Sequence, residues 1–288
     1  MKYSLLHRFA AVAILMISSW SVQAQFMETI QTDRPCQSIS ALTVGKNVLQ
    51  FQQGLDYGNA RLYFNDNRIS EAQSWIFNNV IRLGLTEKFE INAALDYSFI
   101  DISTGSDFEL AGGTSDLFTA FDLGARYNIL EGTNGGPAWC LQARASFTEL
   151  VQENAGNNVE IGVKIVSSLV QSLNRYQSVT VNLTTNTFDD LGYTLNYALS
   201  ITPKFGWIIE NYGNYIFSGQ FEGSEFLTYF DTGFWYLLNN NTLLDVQAGF
   251  GNNQVNSIND NSSIILVTND VKSFFVGAGI SWRILNNG

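Results

Sequence analysis

Histidine, the side chain that most often moves protons near neutral pH, occurs once in this sequence, as His7. Because His7 lies in a segment that we expect to be cleaved off, the rest of the chain cannot form a Ser-His-Asp or Cys-His nucleophile or an imidazole metal site. Paired carboxylates would allow glycosidase chemistry, but the acidic residues occur singly along the chain. The sequence therefore predicts a protein that is not an enzyme and needs no cofactor or metal.

Charged residues recur singly between apolar neighbours, a spacing that suits contact with small polar groups better than catalysis. Because both signs occur, these side chains could bind charged groups of a solute or neutralise one another, and the pattern does not decide between the two. The set consists of Arg82, Glu90, Asp122, Arg126, Arg144, Glu160, Lys164, Glu210, Asp231, Asp245 and Arg283.

The stretches that carry these charges alternate apolar with polar side chains, which is the period of a β-strand with two different faces. In the clearest stretch, Phe89, Leu95 and Phe99 share one face, and Glu90 and Asp96 share the other. Twelve stretches follow this pattern, at residues 47–56, 75–83, 89–99, 117–129, 139–147, 159–169, 179–187, 193–201, 205–217, 227–238, 243–250 and 274–284.

Short and long connections alternate between the predicted strands. The short connections are residues 86–88, 131–137, 172–175, 203–204 and 239–241, and the long ones are 57–72, 101–115, 151–157, 188–192, 219–225 and 252–272. Short turns at one rim, long loops at the other and an even strand number are typical of bacterial outer-membrane barrels. We therefore predict an all-β fold, a transmembrane antiparallel up-and-down β-barrel of about twelve strands. The charged set should face the lumen, because a basic side chain at mid-membrane costs about 2–4 kcal/mol.

Net charge limits the possible partners. The chain carries a formal charge of −11, with an isoelectric point near 4.5, so no basic face is available for nucleic acid. Acidic residues are frequent in the predicted long loops, for example Asp66, Glu109 and Asp260. The simplest interpretation is that these loops are solvated, and a surface-interaction role is the alternative. The expected partners are outer-membrane lipids and a small-molecule solute.

The amino-terminal region indicates export. Residues 1–24 have the features of a signal peptide, with Lys2 and Arg8 before an apolar stretch at 9–17 and small residues before the cleavage site. Residues 25–46 contain no alternating run and form an N-terminal segment, whereas residues 47–288 form the barrel. This segment folds into the lumen as a plug through Asp33 and Arg34, or it remains a periplasmic tail; both alternatives are open. The expected location is the outer membrane of a Gram-negative bacterium.

Cys36 and Cys140 are the two cysteines of the chain. A disulfide between them is compatible with an oxidising export compartment and would tie the N-terminal segment to the barrel. The preferred alternative is two buried thiols that act as small apolar side chains.

Several short motifs resemble the outer-membrane transporter family labelled "MetA-pathway of phenol degradation". The opening motif Thr32-Asp33-Arg34-Pro35 resembles the TDRP motif of that family, and its order relative to the other motifs strengthens the likeness. The others are Ile81 to Thr86 with Phe89 to Ile91, Glu210, Asp231 to Gly233, Leu243 to Asp245, and Phe275 to Arg283. The resemblance implies an outer-membrane barrel that moves small molecules, aromatic or apolar ones in particular.

Two functions follow from these patterns. The leading prediction is a passive outer-membrane channel or transporter for small molecules. The alternative is an outer-membrane barrel without transport, which acts as a structural or surface-interaction protein. A secreted soluble β-protein is a third hypothesis, and it requires the apolar strand faces to pack together in a core.

Overall fold

A computed structural model describes residues 29–64, 67–104, 114–152, 156–187, 190–217, 225–259 and 265–285. The signal peptide predicted at 1–24 lies outside these residues. In the described part of the chain, no helix is long and apolar enough to cross a membrane.

Twelve strands form one closed antiparallel barrel in which each strand pairs with its neighbours in the chain. The strands are β1 (Val48–Phe64), β2 (Asn67–Gly84), β3 (Phe89–Thr104), β4 (Thr114–Glu131), β5 (Ala138–Gln152), β6 (Gly156–Asn174), β7 (Gln177–Asn186), β8 (Asp190–Thr202), β9 (Phe205–Ile216), β10 (Glu225–Asn239), β11 (Thr242–Asn259) and β12 (Ile265–Leu285). A short 3-10 helix, Thr133–Gly135, lies between β4 and β5. The predicted fold class and strand number are confirmed.

Pairing of the first strand with the last closes the barrel. The register between β1 and β12 runs from Val48 opposite Leu285 to Tyr63 opposite Asp270. A closed ladder leaves no strand edge with unpaired N–H and C=O groups, which is what a sheet needs if it is to lie in a bilayer.

The strands are longer than the sequence pattern indicates. Most of the predicted loop at 57–72 belongs to β1 and β2, and only residues 65–66 lie between these strands. Likewise, the predicted loop at 252–272 is largely the outer halves of β11 and β12. The prediction of loops there was wrong because these strand ends lack the apolar alternation, whereas the backbone ladder continues through polar residues regardless of the side chains.

The start of β1 and the end of β12 lie at one end of the barrel, which we name the short-turn end. The turns at this end are residues 85–88, 132–137, 175–176, 203–204 and 240–241. In outer-membrane barrels this end faces the periplasm.

The two faces of the sheet have opposite chemistry. Large apolar side chains point outward and are exposed, for example Leu95 at 45% and Phe99 at 51%. The largest fully buried side chains are polar, and Arg82, Glu90 and Arg126 are each 0% exposed inside the barrel. A soluble protein would bury the apolar face instead. This arrangement favours a lipid-facing outer surface over the hypothesis of a soluble β-protein.

Replacing an outward leucine by arginine tests this orientation. Leu95→Arg should lower the free energy of unfolding by about 2–4 kcal/mol if Leu95 contacts the middle of the bilayer. Leu173→Arg is the matched control, because Leu173 is also exposed but lies beside the short-turn end. There the same change should cost about 0–1 kcal/mol. The free energy of unfolding of both variants is measured by urea unfolding in lipid vesicles, with the gel mobility of unheated protein as the readout. Equal losses of free energy in the two variants would contradict a lipid-facing Leu95.

Candidate functional site

The N-terminal segment, described from residue 29 to residue 46, lies inside the barrel near the short-turn end. At its start, the backbone N–H of Ile30 donates to the carbonyl of Asn240 in the turn between β10 and β11, at 2.8 Å. Directly after its end, the N–H of Asn47 donates to the carbonyl of Gly84 at the end of β2, at 2.9 Å. The chain therefore enters the lumen on one side and returns to the wall on the other. Residues 25–28 lie outside the described residues.

Between these points, residues 36–44 follow the inner wall and pass the strands in reverse order. Their backbone groups bond to wall side chains: Cys36 N to Gln247 (2.5 Å), Gln37 N to Glu210 (2.8 Å), Ile39 N to Asn182 (2.8 Å), Ala41 O to Asn128 (2.9 Å) and Val44 N to Glu90 (2.9 Å). Buried backbone groups without partners are costly, and this segment belongs to no sheet. The polar lumen wall therefore provides the hydrogen bonds that hold the segment in place.

Asp33 points to the side of the lumen formed by β2 and β4. Its carboxylate lies 2.7 Å from Arg126 Nη2 and 3.7 Å from Arg82 Nη1, and it accepts a hydrogen bond from the N–H of Ser40 at 2.9 Å. Burial opposes ionisation of Asp33, but the charges of Arg126 and Arg82 outweigh it and hold the pKa of this carboxyl well below its usual range. Asp33 therefore stays negatively charged at ordinary pH.

Glu90 lies between the same two arginines. Arg82 donates to both of its carboxylate oxygens at 2.9 Å, and Arg126 Nε lies 3.5 Å from one of them. Glu90 and Arg126 are also register partners on β3 and β4. With Asp33 in place, two carboxylates face two guanidinium groups, so the cluster is neutral.

Arg34 points to a different part of the wall, formed by β1, β11 and β12, which adjoins β2. Its Nη2 atom lies 3.2 Å from Asp245 Oδ1 and 3.7 Å from Asp56 Oδ1. The guanidinium occupies space that two glycines leave free, since a Cβ atom on Gly54 or on Gly279 would overlap it. Tight glycine positions on β1 and β12 thus create the seat of Arg34.

Pro35 and Thr32 complete the contacts of the opening motif. Pro35 packs on Gly233 of β10, where a Cβ atom would lie 2.9 Å from the proline ring. The Thr32 hydroxyl lies 3.1 Å from that of Ser281 on β12 and accepts a hydrogen bond from the N–H of Arg34. All four residues of the motif therefore lie inside the barrel, as the plug alternative requires.

Glu210 and Asp231 are register partners on β9 and β10, beside Cys36. Glu210 accepts hydrogen bonds from the N–H of Gln37, from the Ser38 hydroxyl and from Asn196. Asp231 is 3% exposed, and neither of its carboxylate oxygens has a hydrogen-bond partner within the usual distance. Neither carboxyl group pairs with a basic side chain among the ion pairs of the described residues.

Both cysteines are free and buried, so the structure contains the two thiols of the preferred alternative and no disulfide between them. Cys140 lies on β5 and donates to the carbonyl of Ser40 at 3.7 Å. Burial first, and then the Asp231 and Glu210 carboxylates, raise the pKa of the Cys36 thiol above its ordinary value. Cys36 therefore stays protonated and unreactive while the segment is in the lumen.

The remaining predicted lumen residues are spread along the wall and do not form one site around the segment. Asp122 and Arg144 form an ion pair at 3.6 Å, and Lys164 is the register partner of Arg144 on β6. Arg283 lies near the rim, where it donates to the Asn241 side chain at 2.9 Å. Glu160 belongs to β6, but its side chain lies outside the described residues.

Two lumen carboxylates were missed as candidate site residues. Asp56 was placed at the end of the first predicted strand, next to a predicted loop, although β1 continues to Phe64. Asp96 was assigned to the polar face of its strand but not to the site, and it lies opposite Ala120 on β4. The even spacing of Asp56 from Gln50 and Gln52 in the sequence is the signal that could have found it.

A cavity of about 530 Å³ lies between the N-terminal segment and the wall at the short-turn end. Asp33 and Arg34 border it on one side, and Trp235, Leu237 and Leu243 form an apolar patch on the other. Serine and threonine hydroxyls of β7 and β8 complete its lining. The cavity thus combines apolar surface, hydroxyl groups and the charged dipeptide. Among the described residues, no group of His, Cys, Asp and Glu side chains is arranged to hold a metal ion.

No family model and no curated protein matches this chain, so the family resemblance noted in the sequence stays a prediction. Solved structures show the fold. An outer-membrane channel from Pseudomonas putida F1 matches with a TM-score of 0.58 and 11% identity over 87% of this chain and 100% of that chain. A FadL homologue from Pseudomonas aeruginosa matches with a TM-score of 0.53 and 6% identity, over 82% of this chain and 90% of that one. The chain therefore has the fold of outer-membrane channel barrels.

The seat of Arg34 can be tested with Cys36 as a natural reporter. Gly54→Ala, made together with Cys140→Ala, should speed maleimide labelling of Cys36, because the added methyl group displaces the Arg34 guanidinium from Asp245 and Asp56. Gly162→Ala is the matched control, since the nearest atom to its Cβ is the Thr187 hydroxyl, at 3.2 Å. Equal labelling rates in the two variants would show that Arg34 does not hold the segment.

Proposed function

We propose that this protein is an outer-membrane channel for passive movement of small molecules, and that the N-terminal segment closes its lumen. The observation that carries the proposal is the fixation of Asp33 and Arg34 on two different parts of the wall by ion pairs to Arg126 and Asp245. Charges and hydrogen bonds hold the segment in the lumen, and its apolar contacts with the wall are confined to two small clusters around Ile30 and Ala41. We assign the protein no catalytic activity, because the exported chain contains no histidine.

Ion pairs supply the closing force in this proposal. Removing one partner of a buried pair typically costs about 3–5 kcal/mol, because it leaves an uncompensated charge. Displacing the whole segment breaks the contacts of Asp33 and Arg34 together, so the closed state should dominate in the absence of a solute. Opening then requires a ligand or partner that binds the open state better.

Aromatic or apolar molecules are the solutes implied by the family resemblance, and part of the lumen is compatible with them. Tyr212 and Tyr229 stack with ring centroids 5.2 Å apart on the inner faces of β9 and β10. Phe275 of β12 covers Gly249 of β11 on the same side of the wall. We therefore propose solutes that combine an aromatic or apolar body with polar groups.

A structural or surface-interaction barrel without transport is the second candidate. The complete burial of Arg82, Glu90 and Arg126 beneath the segment favours it, because this packing stabilises a filled barrel. Solute flux separates the two candidates, since a barrel that stays filled conducts neither ions nor small molecules.

Single-channel recording tests the proposed closure. Arg34→Ala removes the ion pairs to Asp245 and Asp56 and should increase the open time of the protein in planar bilayers. The same variant should speed swelling of liposomes in a small neutral sugar. Arg68→Ala is the control, because Arg68 is exposed and pairs with Glu71 on the outer part of β2. Conductance equal to that of the wild type in both variants would favour the barrel without transport.

A further inference from the structure

We propose that the lumen contains a binding site for small zwitterions, and that Asp33 and Arg34 occupy this site as an internal ligand. A solute with an anionic and a cationic group would compete with the segment for the same partners. The inference deepens the proposed function by naming a class of solute, and it rests on that function for the release of the segment. Binding itself can be measured without transport.

The site has two poles on neighbouring arcs of the wall, which meet where β1 pairs with β2. The basic pole consists of Arg82 on β2 and Arg126 on β4, which face the Asp33 carboxylate at 3.7 and 2.7 Å. The acidic pole consists of Asp245 on β11 and Asp56 on β1, which face the Arg34 guanidinium at 3.2 and 3.7 Å. Two adjacent residues thus present one negative and one positive group to complementary walls.

Removal of the segment leaves an uncompensated charge at the basic pole. Arg82 and Arg126 share the single carboxylate of Glu90, which contacts both guanidinium groups. Without Asp33, two positive charges would face one negative charge in a buried cluster. An anionic group of a ligand would restore neutrality there, because an isolated buried charge is costly.

The acidic pole is left without a cation as well. Among the ion pairs of the described residues, Asp245 pairs with Arg34 alone, and Asp56 keeps the neutral donors Asn78 and Gln247. The buried Asp231 adds two carboxylate oxygens without hydrogen-bond partners on the neighbouring strand. A cationic group would restore the ion pair at this pole, which no neutral solute can do.

Single-charge ligands satisfy one pole and leave the other uncompensated. An anion at Arg82 and Arg126 would leave the carboxylates of the acidic pole unpaired, and a cation would leave the arginines unpaired. The dipolar arrangement of the walls thus selects a ligand with both groups, as the segment itself has.

Space and access are consistent with such a ligand. Gly54 and Gly279 leave room for a guanidinium or ammonium group at the acidic pole. The cavity at the short-turn end borders both Asp33 and Arg34, and none of the four pole residues lines it, so a solute in it reaches the poles only once the segment moves. Its apolar patch of Trp235, Leu237 and Leu243 can contact the hydrocarbon part of the molecule.

Titration calorimetry tests the proposal by measuring the affinity of the full exported chain, in detergent micelles, for the zwitterionic probe 6-aminohexanoate. Hexanoate and hexylammonium are the matched single-charge probes. In the double variant Asp33→Asn with Arg34→Gln, the segment no longer competes through its charges, and the affinity for 6-aminohexanoate should rise about tenfold, as expected when a competitor holds the site for about nine-tenths of the time. Arg68→Gln with Glu71→Gln removes the ion pairs of Glu71 with Arg68 and Arg61 on the outer part of β1 and β2 and should leave this affinity unchanged.

Further changes at the poles assign the site. Added to the double variant, Asp245→Asn should weaken binding of 6-aminohexanoate and of hexylammonium, whereas Arg126→Gln should weaken binding of 6-aminohexanoate and of hexanoate. Equal affinity for the three probes, or no gain in the double variant, would overturn the inference. Failed liposome flux with intact zwitterion binding would instead contradict the proposed channel and leave the site standing.

The heat-dependent gel mobility of a closed barrel shows whether the double variant folds. If it does not fold, a second measurement uses the wild-type segment. In the Cys140→Ala background, 6-aminohexanoate should accelerate maleimide labelling of Cys36 by displacing the segment. Hexanoate and hexylammonium at equal concentration should have smaller effects. Sodium chloride at the same concentration is the control for ionic strength. If it accelerates labelling of Cys36 as much as 6-aminohexanoate does, the inference is overturned.

Discussion

The closed hydrogen-bond ladder between β1 and β12 is the constraint on which the rest of the molecule depends. Because a closed sheet has two faces and side chains alternate between them, every second residue is forced into the lumen. The outward positions carry leucine, phenylalanine and other large apolar side chains, so the charges of the middle of each strand collect inside. Closure thus concentrates ionisable groups in a small volume with little access to water.

Such a volume favours charges that compensate one another. On β2, β3 and β4, Arg82, Glu90 and Arg126 nearly achieve this by themselves, and Asp33 completes the balance. On β11 and β1, the carboxylates of Asp245 and Asp56 obtain a cation from Arg34. The N-terminal segment therefore has the role of a counter-ion as much as that of a physical obstruction, and its ion pairs act together with two small apolar clusters around Ile30 and Ala41.

This mode of attachment matters for function. An apolar plug would be held by burial that is insensitive to small solutes, whereas ion pairs can be replaced by a ligand with similar charges. The glycines on β1, β10 and β12 give the segment close access to the wall, and the same space becomes available when the segment leaves. Closure of the lumen and recognition of a solute are thus properties of one set of residues.

The fold class, the strand number and the inward direction of the charges followed from the sequence alone, because the two-residue period of a strand is a local signal. Strand ends such as 57–64 and 252–259 were missed because backbone pairing there continues without apolar alternation. Of the site, the sequence pointed to Arg82, Arg126, Asp245 and the Thr32–Pro35 motif but missed Asp56, and it left the plug and the tail as equal alternatives. Tertiary structure alone decided which charges meet. Asp33 and Arg126 are 93 residues apart in the chain, and Arg34 and Asp245 are 211 apart, so only closure of the barrel brings them together.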